Sequence, residues 1–524
     1  MMTTRRDFLI RSGATLATAA TTGATTAAIT GLPRLARAAT AGLPELRAQP
    51  AQVQLAPEGY PQTAIWGYGG ALPGPELRLA QGARVQRRFV NDLPQASTVH
   101  WHGVRLDNAM DGVPGLTQAA VAPGDGFDYD FTAGDAGTFW YHAHERSVEQ
   151  VARGLYGALV VEEAEAPDVD TDLVLVLDDW LLDPETAQID TDFEAPHDRS
   201  HAGRRGNFVA TNGQQAYSRD VAIHDRLRLR LINAANARIF VLDVAGMEGW
   251  TIALDGMPLP APTPLTEPVL LGPGQRADLI VDITAEPGEV AHLLRFDSRD
   301  GVSQAGFPVT GQSARSRRPA PAALPPNPRM GVTLDADTAA LRLNMEGGAM
   351  GRLDAAILNG TRRTFRELVE ANEFWSFNGV VGMPDAPLAT LARGQTATLE
   401  IRNDTAFPHA MHLHGMHFRE LDDTGAATGP LRDTLLMTGG ETRSIGFTAD
   451  NPGDWMFHCH MLSHAASGMM TWLRLAEERG LPRMVSVQNE YSLLYRSFDQ
   501  DLHEIAMAED CGLLAYSPLA GGIL

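Results

Sequence analysis

The segment LAQGARVQRRFVNDLPQASTVHWHG, residues 79–103, returns later in the chain as LARGQTATLEIRNDTAFPHAMHLHG, residues 391–415. The two copies align without a gap, and both have a glycine in fourth place, Asn-Asp near the middle and His-x-His-Gly at the end. Apolar and polar residues alternate before Asn-Asp, which is typical of strands in β-sandwich domains. The repeat predicts that both segments occupy the same place in two copies of one sandwich.

A second pair of segments repeats in the same order. PGDGFDYDFTAGDAGTFWYHAH, residues 123–144, aligns with GGETRSIGFTADNPGDWMFHCH, residues 439–460, and both end in His-x-His. A fainter middle copy, IHDRLRLRLINAANARIFVLDVAG, has Leu242 and Val244 where the other copies have paired histidines. The middle of the chain is therefore predicted to keep the fold without the histidines.

These repeats predict an all-β fold of three Greek-key β-sandwich domains. Their predicted bounds are residues 45–165, 166–320 and 338–478. The run GQSARSRRPAPAALPPNPR, residues 311–329, has the Pro/Ala/Arg composition of a linker. Residues 479–524 follow a different pattern, that of a short βαβ-like fragment.

Composition narrows the class of protein. The net charge of −22, from 42 basic and 64 acidic residues, argues against nucleic acid or an anionic membrane as a partner. We find no stretch that is long and apolar enough for a membrane span. The two cysteines, Cys459 and Cys511, form no disulfide framework, so stability must come from hydrophobic cores.

The N-terminus predicts export. TTRRDFLIRSG contains Arg5 and Arg6, an Ala/Thr-rich apolar stretch follows, and Ala36-Arg37-Ala38 is a small-residue cleavage pattern. We interpret residues 1–38 as a twin-arginine signal peptide that the twin-arginine (Tat) export machinery reads. The mature protein is then expected to be periplasmic or otherwise exported.

Four His-x-His pairs are the main chemical signal of the sequence. Residues two apart on a strand face the same side, so each pair presents two imidazoles together. Eight imidazoles from two homologous domains can therefore converge where the domains meet. Imidazole binds copper, iron, nickel and zinc, and eight such groups are more than one zinc ion needs.

Cys459 lies between His458 and His460, and strand alternation turns its sulfur to the opposite face. His409, His464 and Met469 lie nearby in the sequence. One thiolate, two imidazoles and a weak thioether are the ligands of a blue-copper electron-transfer site. The first copy has Ala143 at the matching position, so we predict one thiolate copper, in the last domain only.

The direct connection of Cys459 to two histidines of the cluster has a chemical use. Reduction of dioxygen to water takes four electrons, whereas a single copper delivers one at a time. Several coppers must therefore store electrons, and a cysteine contiguous with two cluster ligands is a short path for them.

The motifs HWHG, WYHAH, HAMHLHG and HCHMLSHAASGM resemble those of three-domain multicopper oxidases, close to the bacterial laccase, copper-resistance and manganese-oxidase branch. The resemblance covers about residues 45–475 and implies cupredoxin-like domains and four copper ions. It implies a type 1 copper on His409, Cys459 and His464 with Met469 as the axial ligand. It implies a type 2 copper on His100 and His412. The two type 3 coppers would then be bound by His102, His142, His144, His414, His458 and His460.

Proton delivery is predicted less directly. Asp111, in NAMDGVP, matches the family's acidic residue near the trinuclear cluster and could relay protons; a turn aspartate before Gly112 is the alternative. Many bacterial relatives have Glu after the last type 1 histidine, where this chain has Ala465. The protons are then expected to follow another route, or turnover to be slower. Cys459, His458, His460 and Asp111 are the predicted catalytic residues.

The resemblance implies an oxidase that takes electrons from a donor and passes them to dioxygen. Phenols and aromatic amines, the donors of laccases, are the first choice, and Cu(I) or Mn(II) in copper or manganese handling is the alternative. A copper-binding or copper-storage protein is the non-enzymatic alternative. Met345 and Met350, in NMEGGAMG, resemble methionine-rich copper-handling segments of relatives, although a plain loop is the favoured interpretation.

The C-terminal fragment resembles a middle piece of an aldo-keto reductase barrel, including QNEYS and SPLAGG. The family's catalytic Tyr, Lys, Asp and His belong to parts that are missing. We therefore expect residues 479–524 to be a non-functional remnant, with no nicotinamide cofactor and with Cys511 incidental.

Overall fold

The computed structural model describes residues 43–312, 316–476, 486–490 and 512–516. The predicted signal peptide lies outside these residues, as does most of the helix of the expected βαβ-like fragment. Strands dominate the described residues, so the predicted all-β class is confirmed. The helices there are short: a 3₁₀ turn at Asn108–Met110 and α-helices at Ser147–Ala152, Pro196–Ser200, Phe365–Glu370 and Leu462–Ala465.

The first sandwich is formed by two facing sheets. Its strands are β1 (Glu45–Val53), β2 (Thr63–Tyr68), β3 (Gly74–Ala80), β4 (Arg84–Asn91), β5 (Val99–His102), β6 (Gly126–Thr132), β7 (Gly137–Ala143) and β8 (Tyr156–Glu162). One sheet has the order β2-β1-β4-β6 and the other β3-β8-β7-β5. Leu46, Val85 and Phe89 of the first sheet pack in the same core as Trp101 and Tyr141 of the second.

The second sandwich repeats this arrangement. Its strands are β9 (Thr171–Trp180), β10 (Phe208–Thr211), β11 (Val221–Ile223), β12 (Arg226–Asn233), β13 (Phe240–Ala245), β14 (Met247–Leu254), β15 (Met257–Pro264), β16 (Val269–Leu271), β17 (Arg276–Ile283), β18 (Val290–Phe296) and β19 (Gly301–Gln312). The sheet orders are β10-β9-β12-β17-β14-β15 and β11-β19-β18-β13-β16.

The third sandwich contains the second set of histidine motifs. Its strands are β20 (Ala339–Gly347), β21 (Ala355–Leu358), β22 (Thr361–Thr364), β23 (Trp375–Phe377), β24 (Ala389–Leu391), β25 (Thr396–Asn403), β26 (His409–Leu413), β27 (Phe418–Leu421), β28 (Ala427–Arg432), β29 (Thr434–Met437), β30 (Thr442–Thr448), β31 (Gly453–Cys459) and β32 (Met470–Leu475). Its sheet orders are β23-β20-β25-β30-β27-β28 and β24-β32-β31-β26-β29, with β21 and β22 as a separate pair.

The same strand pairings recur in all three sandwiches. A parallel pair followed by an antiparallel partner appears as β1-β4-β6, β9-β12-β17 and β20-β25-β30. In the opposite sheets, β5, β13 and β26 are equivalent strands, since each pairs antiparallel with β7, β18 or β31. Strand β5 lies at the sheet edge, whereas β16 and β29 lie outside β13 and β26. Strand β13 contains Leu242 and Val244, so the middle sandwich has apolar residues where its neighbours have histidines.

The middle sandwich is tied to the first by buried ion pairs. Arg228 and Arg230 of β12 are buried. Arg228 pairs with Glu163, which follows β8 of the first sandwich, and Arg230 pairs with Asp172 of its own sandwich and lies 3.9 Å from Glu163. Arg230 also donates to the hydroxyl of Thr138, at the start of β7 (2.9 Å). Strand β7 contains His142 next to its last residue, so these contacts hold one histidine strand against the middle sandwich.

The C-terminal fragment contributes two strands to the described residues, β33 (Ser486–Glu490) and β34 (Gly512–Tyr516). They pair in parallel, with Ser486 opposite Gly512. Parallel pairing is what a βαβ pattern predicts. The resemblance to an aldo-keto reductase stays a prediction. Among the described helices, none has the length and hydropathy to cross a membrane.

Candidate metal centre

Four strand ends bring eight histidines together. Strands β5 and β7 pair so that His100 lies opposite His142, and β26 and β31 pair so that His412 lies opposite His458. The register is therefore the same in the first and third sandwiches. The eight histidines are His100, His102, His142, His144, His412, His414, His458 and His460.

The histidines of the two sandwiches interleave. The rings of His102 and His412 stack with centroids 3.7 Å apart, and those of His100 and His414 stack at 3.9 Å. Each stack joins the first histidine of one motif to the second histidine of its copy. The duplicated sequence therefore forms a near-symmetric cluster between the two sandwiches.

Oxygen acceptors fix the protonated nitrogen of five imidazoles. A carbonyl or carboxylate oxygen only accepts, so the Nδ1 atom facing it must bear the proton and Nε2 keeps its lone pair. The pairs are His100 Nδ1 with the Asp111 carbonyl (2.8 Å), His142 Nδ1 with the Ala143 carbonyl (3.1 Å), His412 Nδ1 with the Asp433 carbonyl (3.0 Å), His458 Nδ1 with the Cys459 carbonyl (2.9 Å) and His414 Nδ1 with Asp111 Oδ2 (2.9 Å).

The resulting lone pairs face one another inside the protein. In the described residues, Nε2 of His100, His142 and His412 is buried without a hydrogen-bond partner, as are both ring nitrogens of His460. His414 Nε2 and His458 Nε2 lie 3.1 Å apart, and each bears a lone pair. Two lone pairs at that distance repel unless a cation lies between or beside them. These donors therefore fit metal ions of the kind that imidazole prefers, which include copper.

Burial keeps these imidazoles in the neutral form that metals bind. Desolvation lowers the pKa of His458 to about 3, and lowers the pKa values of His102 and His414 well below the usual range. Neighbouring imidazoles lower them further because two positive rings repel. The same direction holds for His142, His144, His412 and His460.

A second, smaller group of ligand atoms surrounds Cys459. Its Sγ lies 3.5 Å from His409 Nδ1 and 3.8 Å from His464 Nδ1, and the two Nδ1 atoms are 3.0 Å apart. His464 Nε2 donates to the His201 carbonyl (2.7 Å), and His409 Nε2 donates to the Thr405 hydroxyl (2.9 Å). Both Nδ1 atoms therefore keep lone pairs that converge near the sulfur.

The thiol site also calls for a cation. Burial raises the pKa of the Cys459 thiol to about 12, so a thiolate here needs a positive partner. Desolvation lowers the pKa of His464 to about 4, which leaves this imidazole neutral as well. Met469 is fully buried beside the group, since its N–H donates to the His464 carbonyl (3.0 Å) and its carbonyl accepts from Cys459 N–H (3.1 Å).

Asp111 is part of the cluster. Its side chain is 1% exposed, and Oδ1 lies 3.2 Å from His100 Nδ1 while Oδ2 accepts from His414. Asp111 directly follows the 3₁₀ turn at Asn108–Met110, which positions its side chain beside these two histidines. Asp111 ends a turn before Gly112 and is also buried beside two histidines, and its part in proton relay stays a prediction.

Asp433 and Arg276 are two cluster residues that the sequence analysis missed. Asp433 lies between β28 and β29 with no exposed surface, and Oδ1 is 3.3 Å from His102 Nε2. Arg276 of the middle sandwich donates two hydrogen bonds to it, at 2.9 and 2.6 Å. The only sequence signal for Asp433 is a charged residue that interrupts the apolar run LRDTLLM.

The Arg276 pair keeps Asp433 charged. Burial alone raises the pKa of a carboxyl, but Arg276 and the hydrogen bonds from His102 and His412 outweigh burial and hold the Asp433 pKa well below its usual range. Gly103 leaves room for the pair: a Cβ there would lie 2.2 Å from the Arg276 guanidinium, and its φ of +81° suits glycine. His102 is turned with Nε2 toward Asp433, which leaves Nδ1 unpartnered in the described residues.

An open cavity of about 470 Å³ reaches the cluster from solvent. Its lining includes His144, Glu145, Met456, His458 and Ala465. The cavity gives small molecules and water a route to these two histidines. His417 does not belong to any of the ligand groups and lies 3.6 Å from Asp433.

Comparisons with known proteins return one family. Multicopper oxidase family models match residues 50–166 and 359–479. The chain is 30% identical over 509 residues to the multicopper oxidase MmcO of Mycobacterium tuberculosis, covering 90% of this chain and 96% of that protein. It is 26% identical to a copper resistance protein A homolog of Pseudomonas syringae pv. tomato, covering 78% and 88%.

Solved structures give the same result. The fold resembles a multi-copper oxidase from Pseudomonas thermotolerans with a TM-score of 0.71 at 35% identity, covering 82% of this chain and 98% of that one. It resembles Lac15 from a marine microbial metagenome with a TM-score of 0.66 at 42% identity, covering 82% and 99%. The predicted cupredoxin-like sandwich fold is confirmed.

Proposed function

This chain belongs to the multicopper oxidase family of copper-dependent oxidoreductases that use dioxygen, and from that premise we propose how its residues divide the reaction. His409, Cys459 and His464 would bind the type 1 copper, with the Met469 thioether as a further ligand. His100 and His412 bind the type 2 copper. The type 3 pair is bound by His102, His142, His144, His414, His458 and His460.

One observation carries the proposal. Cys459 Sγ belongs to one group of ligand atoms, while its chain neighbours His458 and His460 belong to the other. When bound, copper supplies one-electron chemistry and the reduction of dioxygen. The peptide between Cys459 and its neighbours is then a short path from the donor side to the dioxygen side.

The protein's own groups keep the cluster geometry fixed. The Asp111 and Asp433 carboxylates and four backbone carbonyls hold imidazole N–H groups, which directs the opposite nitrogens inward. Asp111 is also the carboxylate proposed to pass protons toward reduced oxygen, since its Oδ2 accepts the proton of His414 Nδ1. The cavity at His144 and His458 is the proposed route for dioxygen and water.

Phenols and aromatic amines are the proposed donors, as in laccases. Electrons would enter at His464, whose Nε2 donates a hydrogen bond to the carbonyl of the partly exposed His201. The relatives include proteins named laccases, with 28% identity to Laccase-1 of Botryotinia fuckeliana. Residues 1–38 are proposed to direct the protein through the twin-arginine machinery to the periplasm or beyond.

The test combines copper content with stoichiometry. Purified, copper-loaded protein is expected to contain four coppers per chain by mass spectrometry of the metals. With a methoxyphenol as donor, an oxygen electrode is expected to record one dioxygen consumed per four donor electrons, without hydrogen peroxide. Peroxide as the main product, or fewer than four coppers at full activity, would contradict the proposal.

A further inference from the structure

One buried tryptophan contacts both imidazoles of the thiol site. Trp375, the first residue of β23, has no exposed surface. The centroid of its indole lies 4.5 Å from that of the His464 ring, at an angle of 41°, and 5.2 Å from that of the His409 ring, at 85°. An indole has one N–H and no lone pair to offer a metal. Trp375 therefore packs against two proposed ligands of the type 1 copper without being a ligand itself.

The middle sandwich holds this tryptophan in place. The indole N–H donates to the Arg199 carbonyl at 2.5 Å, in the connection between β9 and β10. The backbone N–H of Trp375 donates to the carbonyl of Ser467, three residues after His464 (3.1 Å). The His201 carbonyl, two residues after that of Arg199, accepts from His464 Nε2. Residues 199–201 therefore fix both the His464 ring and the indole on which this ring packs.

The packing around the indole is close. A Cβ at Gly348 would lie 2.3 Å from the indole ring, and a Cβ at Gly468 would lie 2.1 Å from the Trp375 carbonyl. The ring of Phe407 lies 5.8 Å from the indole, nearly perpendicular to it. Both type 1 imidazoles are fully buried. The indole is thus part of a dry, tightly packed wall on this side of the thiol site.

We propose that Trp375 is a positioning residue of the type 1 copper, which fixes the His464 and His409 rings and keeps water from the metal. The inference rests on the proposed function and deepens it. Copper(II) with one thiolate and neutral ligands carries one positive charge, and copper(I) with the same ligands carries none. Water stabilises the charged state more, so an apolar wall favours the reduced state and raises the reduction potential.

The contacts of Trp375 also bear on the geometry of the site. Rotation of the His464 ring would carry its Nδ1 atom away from the sulfur of Cys459, which lies 3.8 Å away. The His201 carbonyl holds one edge of this ring, and the indole packs against it. Ligands that stay in place when the metal changes its charge pass electrons quickly, because few atoms must move. Trp375 is thus expected to affect both the potential and the copper geometry.

The experiment compares copper-loaded wild type with Trp375→Leu, Trp375→Phe and Trp472→Phe. Leucine removes the aromatic ring, whereas phenylalanine keeps a smaller ring and loses the N–H that donates to Arg199. Trp472 is the matched control. Its indole N–H also donates to a backbone carbonyl, that of Pro384 (2.8 Å), but its ring packs against the guanidinium of Arg474.

Three readouts report on the copper. Redox titration of the blue absorption is expected to give a lower potential in both Trp375 variants, and the lowest in Trp375→Leu. Electron paramagnetic resonance is expected to show a changed copper hyperfine splitting in both. Competition with a chelator is expected to show that the copper affinity of the type 1 site falls about tenfold in Trp375→Leu. Trp472→Phe should match the wild type, and urea unfolding of the metal-free proteins checks that each variant is folded.

A wild-type potential and a wild-type hyperfine splitting in Trp375→Phe would overturn the inference, whether or not Trp375→Leu folds. A raised potential in either Trp375 variant would overturn it as well. A copper-loaded wild type without blue absorption would instead refute the proposed function, because no type 1 copper would then be present to be positioned.

Discussion

Nδ1 of His414, in the third sandwich, lies 2.9 Å from Oδ2 of Asp111, in the first. The same carboxylate lies 3.2 Å from His100, which stacks on His414. One acidic side chain therefore joins the two copies of the duplicated motif. Because it is buried, its charge acts at close range on both imidazoles.

Asp111→Asn is expected to keep the shape of this contact and remove its charge. An asparagine oxygen can still accept from His414, so copper content should stay at the wild-type value. Loss of the proton-accepting carboxylate should slow dioxygen reduction on the order of 10²-fold. Stopped-flow reoxidation of the reduced enzyme, in water and in deuterium oxide, measures this.

The control for Asp111→Asn is Asp107→Asn, on the exposed side of the same turn. The control should reoxidise at the wild-type rate. If Asp111→Asn reoxidises as fast as the control, Asp111 passes no protons. Loss of copper from the variant would instead assign the residue a purely structural role.

Cys459→Ser is expected to abolish the blue absorption and turnover together. The hydroxyl is too poor a ligand to replace the thiolate, yet the substitution is close to isosteric, so the protein should fold and retain cluster copper. Optical and electron paramagnetic resonance spectra test the loss of the blue copper, and metal analysis tests the retention of the cluster copper. Cys511→Ser is the matched control. Donor oxidation at the wild-type rate in Cys459→Ser would refute the electron path.

Much of this site was predictable from the sequence because strands have a strict period of two. The His-x-His spacing alone predicts that His458 and His460 share a face and that Cys459 points away. The repeat predicts that two such faces exist. What the spacing does not contain is how two sandwiches meet, so the stacking of His102 on His412 required coordinates.

The sequence analysis missed Arg276 and Asp433 for the same reason. Arg276 and Asp433 are 157 positions apart and belong to different sandwiches, so no local pattern links them. In the sequence, Arg276 is one of many arginines in strand-like runs of alternating polarity. The apolar Leu242 and Val244 predict a middle sandwich without histidines at this place, but they do not predict that it supplies a cation next to the cluster.

Met469→Leu is expected to raise the reduction potential of the type 1 copper. A thioether donates electron density that favours the oxidised metal, and leucine cannot donate it. Redox titration of the blue absorption in the wild type and the variant measures the direction in which the reduction potential changes. Met470→Leu, one residue along in β32, is the control and should leave the potential unchanged. A lower potential in Met469→Leu would show that Met469 is not axial.

The metal-free protein is expected to lose stability as the pH falls from about 6.5 toward 4. His464 has a pKa of about 4 in the folded state because of burial, so between these values the unfolded chain binds a proton that the folded chain excludes. Unfolding then becomes easier as pH falls. For this group alone the loss is about 2 kcal/mol at pH 5.

Urea unfolding of the metal-free protein at pH 7 and pH 5 tests this linkage. His464→Gln removes one buried histidine and should show a smaller loss of stability between the two pH values than the wild type. His292→Gln should behave as the wild type does. An unchanged pH dependence in His464→Gln would mean that the buried imidazole is not excluded from protonation.

Arg276→Met is expected to cost both stability and cluster geometry. Removal of one partner leaves Asp433 charged and buried, which destabilises by about 3–5 kcal/mol. Asp433 also lies 3.3 Å from His102 and contacts His412. Loss of the Arg276 guanidinium should therefore shift the electron paramagnetic resonance signal of the type 2 copper. Arg432→Met is the control, since Arg432 pairs with Asp255 rather than with Asp433.

A second variant separates stability from positioning. In Arg276→Met combined with Asp433→Leu, no buried charge of this pair remains, so most of the lost stability should return. The copper signal should stay abnormal, because nothing then holds His102 Nε2 or balances the charge beside His412. If the double variant regains both stability and the wild-type copper spectrum, the pair serves only to join the sandwiches. A persistent spectral change at restored stability assigns the middle sandwich a direct part in shaping the copper cluster.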